Sequence, residues 1–277
     1  MVTTYTPLYE KLDHPEVLKV LFHPRKDESS APAGVTDFDI PVDDKVKIGA
    51  RFHMAPDVTA PNILFFHGNG EIVSDYDEIG PMYVAQGLSL LAVDYRGYGR
   101  SDGEPTVSAM MNDAHRIMQV VKQWLAGEKR TGPFVVMGRS LGSVSALELA
   151  ASYQDDIDGL IIESGIAQTM PLLLCLGIDV QSLGITEADG FGNMQKIAHF
   201  SKPTYILHAQ HDQFIPVTSA EALQAQCAAR SKEFQMVPGA DHNTIIDRTG
   251  RLYFEAIKRF TNKLGKSQRP RRPGVRR

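Results

Sequence analysis

Cysteine is nearly missing from this 277-residue chain, which has only Cys175 and Cys227. Neither stands in a metal-type spacing, so a disulfide scaffold and a thiolate zinc site are excluded, and a reduced, cytoplasmic setting is expected. A single disulfide between the two stays open. Long apolar runs are missing as well. The best candidate, residues 170–178, is interrupted by Pro171 and Gly177, and a bilayer crossing needs roughly 18 to 20 apolar residues. The opening stretch MVTTYTPLYEKLDHPEVL lacks a basic segment followed by an apolar one, so no secretion signal is expected. What remains is 43% hydrophobic and 22% charged, a composition that excludes collagen-like and intrinsically disordered chains.

Charge of one sign is scarce only at one end. The formal net charge is −4, yet residues 263–277 hold seven basic residues and no acidic one, which leaves −11 on residues 1–262. An acidic body repels nucleic acid, so no nucleic-acid partner is expected. The Pro- and Arg-rich end reads as a disordered basic tail, 265–277, open to weak contact with anionic surfaces. No internal repeat or linker divides the rest. One domain is expected over 35–264, preceded by an N-terminal extension, 1–34.

Short β-rich runs bounded by turn residues alternate with helix-periodic stretches, the pattern of βαβ units and a mostly parallel sheet. Strands are expected at 35–40, 46–52, 63–66, 88–94, 134–137, 160–163, 204–208 and 233–237. The first two have no room between them for a crossover helix and should pair antiparallel. Helices are expected over 107–125, 143–152, 218–229 and 252–264, the last with Leu252, Ala256, Ile257 and Phe260 facing inward. Residues 164–202 form one long irregular insertion, as a lid or a segment with its own helices would.

The pattern G-x-S-x-G occurs twice, around Ser101 and around Ser140. Ser140 directly follows the apolar run Phe134-Val135-Val136-Met137 and precedes a helix-forming stretch. Gly138 and Gly142 would let strand and helix approach while the serine sits in a strained turn. Ser101 is followed by Gly103-Glu104-Pro105 and belongs to a loop. A serine hydroxyl needs a general base held by a third group. Asp212 lies beyond one expected strand, 72 residues after Ser140, and His242 lies beyond the next, 30 residues further on. At the end of the third expected strand, His67-Gly68-Asn69-Gly70 offers backbone N–H groups to an oxyanion. The expected donors are the amides of Asn69 and of Leu141, with His67 holding the turn.

These segments, HGNG at 67–70, DYRGYGRSDG at 94–103, GRSLGS at 138–143, HAQHDQFIP at 208–216 and GADHN at 239–243, resemble the α/β-hydrolase superfamily. The likeness runs from about residue 35 to 264 and is to the small serine esterases, thioesterases and serine peptidases. It implies an α/β fold with an eight-stranded sheet, only its second strand antiparallel, and helices on both faces. It also implies Ser140, Asp212 and His242 as a catalytic triad. Asn69 stands where lipases carry a glycine run, so bulky triglycerides are not expected as substrates. A serine at the elbow departs from the aspartate-nucleophile dehalogenases and epoxide hydrolases.

Rival readings are weaker. Gly97-Tyr98-Gly99 lacks the third glycine of a dinucleotide fingerprint, because Asp102 stands there. His208, His211, Asp212 and His242 carry no metal-binding motif. No metal and no cofactor are therefore expected. The substrate expected is a small carboxylic ester or thioester with a short to medium acyl chain, lodged under the apolar segment Met170 to Leu176 if that segment is a lid rather than a buried helix. An aminopeptidase-like activity is the alternative, with Glu71 or Glu163 holding a substrate amine unless they are structural. A fold that only binds a ligand is the third reading, and the oligomeric state stays open.

Overall fold

A computed structural model describes residues 9–264; the expected basic tail lies outside the described residues. In chain order the elements are α1 (Pro15–Leu21), β1 (Thr36–Pro41), β2 (Lys47–His53), β3 (Asn62–Phe66), α2 (Gly80–Ala85), β4 (Ser89–Val93), α3 (Val107–Gly127), β5 (Phe134–Arg139) and α4 (Gly142–Ser152). They continue with β6 (Gly159–Glu163), α5 (Thr169–Cys175), α6 (Asn193–His199), β7 (Thr204–Ala209), α7 (Val217–Gln226), β8 (Lys232–Val237), α8 (Ile245–Thr249) and α9 (Arg251–Leu264). The strands form one sheet in the order β1-β2-β4-β3-β5-β6-β7-β8. Only β2 runs against the others. This is the α/β-hydrolase arrangement, a parallel sheet wrapped on both faces by helices.

The central strands are buried on both faces, and strand alternation sorts their side chains into two cores. Leu64, Phe66, Leu91, Val93, Val136 and Ile162 face one core, with α3, α4 and the insertion. Ile63, Phe65, Leu90, Ala92, Val135 and Met137 face the other, with α9 and Tyr83 of α2. Each of these side chains larger than alanine contributes about 1.5–3 kcal/mol relative to exposure. The helix α3 earns its place through a stripe at 3.6-residue spacing: Met111, Ala114, Ile117, Met118, Val121 and Leu125 are all buried.

Three expectations are corrected. Of the expected extension 1–34, residues 1–8 lie outside the described residues, and the segment from Tyr9 to Phe22 does not stand apart, because Tyr9, Leu12, Val17, Leu21 and Phe22 are buried in the first core. Asp13 also accepts the N–H groups of Val107 and Ser108 and so caps α3 from outside the helix. Leu252 is 67% exposed, since the inward seam of α9 runs through Tyr253, Ala256, Ile257, Phe260 and Leu264. A residue next to that seam is turned about 100° away from it. The helix expected to reach residue 229 stops at Gln226, where the chain leaves helical geometry and buries Cys227.

Candidate active site

The candidate residues follow the C-terminal ends of β3, β5, β7 and β8. At the end of β5, Ser140 has φ +52°, a left-handed conformation that costs a non-glycine residue about 1–2 kcal/mol. Its neighbours make that turn possible. A Cβ on Gly138 would lie 2.3 Å from the Gly142 carbonyl oxygen, and one on Gly142 would lie 2.0 Å from that of Phe66. The turn is held by the Ser140 N–H, which donates to the Glu163 carbonyl at 2.9 Å, and by Ser143 Oγ, which donates to the Ser140 carbonyl at 2.6 Å.

Three residues expected to act together meet here. His242 Nε2 lies 2.9 Å from Ser140 Oγ, and His242 Nδ1 lies 2.7 Å from Asp212 Oδ2. With Nδ1–H given to the carboxylate, Nε2 is left as the acceptor facing the serine hydroxyl. Asp212 Oδ1 accepts the amides of Phe214 and Ile215 at 3.0 and 2.8 Å. Burial opposes the Asp212 charge, but the His242 hydrogen bond and these two amides outweigh it and hold the carboxyl below its usual range. His208 is fully buried and supports the same loop by donating from Nε2 to the Ile215 carbonyl at 2.8 Å. Burial pushes His208 down, toward the neutral form.

Asn69 and Leu141 border a cavity of about 320 Å³ that opens on Ser140 and His242. Its apolar wall includes Leu21 of α1, Leu172 and Leu176 of the insertion, and Phe214. Ile166, Leu172, Phe214 and Ile215 separate it from a second, adjoining cavity of about 270 Å³. Within the segment 170–176, Leu173 is buried, Leu172 lines the cavities, and Leu174 is 58% exposed. Leu21 and His23 escape sequence reasoning, because nothing local marks an N-terminal helix as part of a pocket formed by β-strand ends.

Ser101 is buried, and its Oγ accepts the Gly49 N–H at 2.9 Å, away from the site. His67 is fully buried between the Gly68 carbonyl and Asp94, 3.1 Å away. Burial works against its charge, yet Asp94 outweighs it and raises the imidazole above its usual range. Glu71 and Glu163 do converge near His242, around a third cavity of about 350 Å³, but both are engaged within the protein. Glu71 pairs with Arg139 and accepts from Gly68 N–H and Tyr76 OH; Glu163 accepts from Arg139 and Tyr253 OH. His211 is exposed, and no group of three or more potential metal ligands exists among the described residues. Cys175 and Cys227 are both free thiols. No helix among the described residues is long and apolar enough to cross a membrane.

Residues 59–179 match the protein family described as serine aminopeptidase, S33. An uncharacterized protein of Mycobacterium tuberculosis is 28% identical over 248 residues, which span 84% of this chain and 80% of that protein. Human alpha/beta hydrolase domain-containing protein 17B is 29% identical over 209 residues, 72% of this chain and 66% of that one. Among solved structures, the Pyrococcus furiosus esterase Pf2001 shares the fold with a TM-score of 0.70 at 14% identity, over 87% of this chain and 99% of the esterase. In sheet order and in the turn at Ser140 the chain has the α/β-hydrolase fold, and in sequence it is similar to proteins of that superfamily.

Proposed function

We propose that this protein is a serine hydrolase that cleaves carboxylic esters or thioesters of short to medium acyl chains through an acyl-enzyme on Ser140. The observation that carries this reading is the hydrogen-bonded run Asp212–His242–Ser140, at 2.7 and 2.9 Å, ending on a serine held at positive φ. His242 Nε2 takes the hydroxyl proton as Ser140 Oγ attacks the acyl carbonyl, and Asp212 stabilises the imidazolium that forms. The developing oxyanion is received by the amides of Asn69 and Leu141, which donate to no other protein group among the described residues. His242 then returns the proton to the departing alcohol or thiol. Water, activated the same way, releases the acid and restores Ser140.

The apolar cavity beside Ser140 supports an acyl chain as the bound moiety. The family description matched by residues 59–179 brings peptides forward as the second substrate class. The engagement of Glu71 and Glu163 with Arg139 and two tyrosines favours the ester over a substrate whose amine needs a free carboxylate. The test pairs labelling by a serine-directed fluorophosphonate with turnover of p-nitrophenyl esters, acyl thioesters and aminoacyl-naphthylamides. Ser140→Ala should abolish both labelling and turnover, a loss of several orders of magnitude. Ser101→Ala should keep most of the activity, and the reverse result would reassign the nucleophile.

A further inference from the structure

The side chain just before Ser140 reaches three different loops of the site. Arg139 Nη2 donates to the His242 carbonyl at 2.8 Å and to Asn243 Oδ1 at 3.1 Å. Its Nε donates to Glu163 Oε1 at 3.2 Å, and Nη1 pairs with Glu71 Oε1. Both glutamates pass the contact onward, Glu71 through its carboxylate and Glu163 through its backbone carbonyl. The other oxygen of Glu71 accepts the Gly68 N–H at 2.7 Å, one residue before Asn69, and the Glu163 carbonyl accepts the Ser140 N–H at 2.9 Å. A single guanidinium therefore connects the nucleophile turn, the loop with the Asn69 amide and the loop with His242.

Two details distinguish this from simple neutralisation of buried carboxylates. The bonds to the His242 carbonyl and to Asn243 neutralise nothing; they locate a loop. The guanidinium also packs closely on Gly68, where a Cβ would lie 2.7 Å from Arg139 Nη1. A planar fork can serve acceptors in these divergent directions, whereas an ammonium carries the same charge without the geometry.

We infer that Arg139 is a positioning residue, whose guanidinium sets the separation of Ser140, His242 and the Asn69 amide by holding their three loops in register. The inference rests on the proposed roles of those three residues. It acts on the rate of acylation and not on ground-state binding, since the groups it holds move charge only as the reaction proceeds.

Arg139→Lys and Glu71→Gln separate this role from a counter-ion. Each variant is measured for kcat and KM on a short p-nitrophenyl ester, for its rate of fluorophosphonate labelling, and for its thermal unfolding midpoint. Arg139→Lys should lose roughly 10- to 100-fold in kcat and in labelling rate, with KM within about twofold and the protein folded at the assay temperature. Glu71→Gln, which keeps an acceptor for Gly68 but drops the ion pair, should shift kcat in the same direction by less. A lowered unfolding midpoint with wild-type kcat in Arg139→Lys would make Arg139 a counter-ion only and overturn the inference. If Arg139→Lys does not fold, wild-type kcat in a folded Glu71→Gln overturns it equally. Wild-type protein that resists labelling at Ser140 would remove the hydrolase reading and this inference together, a result distinct from labelled wild type with unaltered variants.

Discussion

The backbone N–H of His23 donates to Asn69 Oδ1 at 2.8 Å, so a residue from the N-terminal segment grips the loop of the proposed oxyanion donor. Tyr98 OH donates to the same oxygen at 2.7 Å, and Arg25 Nε donates to the next carbonyl, that of Gly70, at 2.7 Å. The asparagine side chain is the latch, and Asn69 itself lines the cavity beside Ser140.

Asn69→Ala keeps the amide but releases the latch: the His23 N–H retains Tyr98 Oη as an acceptor at 2.8 Å, while the Tyr98 hydroxyl loses its own. Stability should fall by about 1–3 kcal/mol, and kcat should fall roughly tenfold because the donor is no longer held in place. Urea titration and steady-state kinetics measure the two effects. A variant with full kcat would dissociate this loop from catalysis.

Leu172 and Leu174 sit two residues apart on α5 but face different surroundings. Leu172 lines both apolar cavities, and Leu174 is 58% exposed. Leu172→Asp should raise KM for the longer acyl chains, by burying a carboxylate where the chain would lie, and Leu174→Asp should leave the chain-length profile as it is. Identical profiles in both variants and wild type would place the acyl group elsewhere.

Asp212→Asn leaves an amide that can no longer offset the charge forming on His242, and kcat should drop by about 10⁴. His242→Ala should be similarly inactive. Because the two act as one unit, the double variant should be no slower than the worse single variant. Losses that add in full would assign the acid to another residue.

Away from the site, Glu148 on α4 offers a pH test of stability. It is paired with Lys196 Nζ at 2.6 Å and lies 3.1 Å from His115 Nε2. Burial works against its charge, yet the His115 hydrogen bond and Lys196 hold the carboxyl down at about 2. A depressed carboxyl stabilises the fold fully above its unfolded value, near 4.3, and that contribution is lost as pH falls toward 2. Glu148→Gln leaves the buried Lys196 with Tyr9 OH as an acceptor at 3.1 Å but without a carboxylate, and should cost about 3 kcal/mol at pH 7. Lys196 is itself pushed down by burial, which keeps the figure at the low end for a broken buried pair. The gap from wild type, read by urea unfolding, should narrow at pH 3.5; a constant gap would show that the charge on Glu148 contributes nothing.

What the sequence determined by itself is local. Eight strands were legible because alternation and apolar runs reflect burial on one or two faces of a sheet, and the turn at Ser140 was legible because two glycines flank a residue forced to positive φ. The candidates Asp212 and His242 could be named because each follows directly on a strand, and parallel strands deliver their following loops to one end of the sheet. Only tertiary structure decided the rest. Leu252 is apolar at nearly the right helical phase, and the rotation of α9 against the sheet, which no residue of that helix encodes alone, turned it outward. Arg139 and His23 meet partners 103 and 46 residues away along the chain. Such contacts depend on which strands lie side by side and on the shape of the loops between them, and a hydrogen-bonding side chain carries no sign of which distant carbonyl or amide the folded sheet will bring to it.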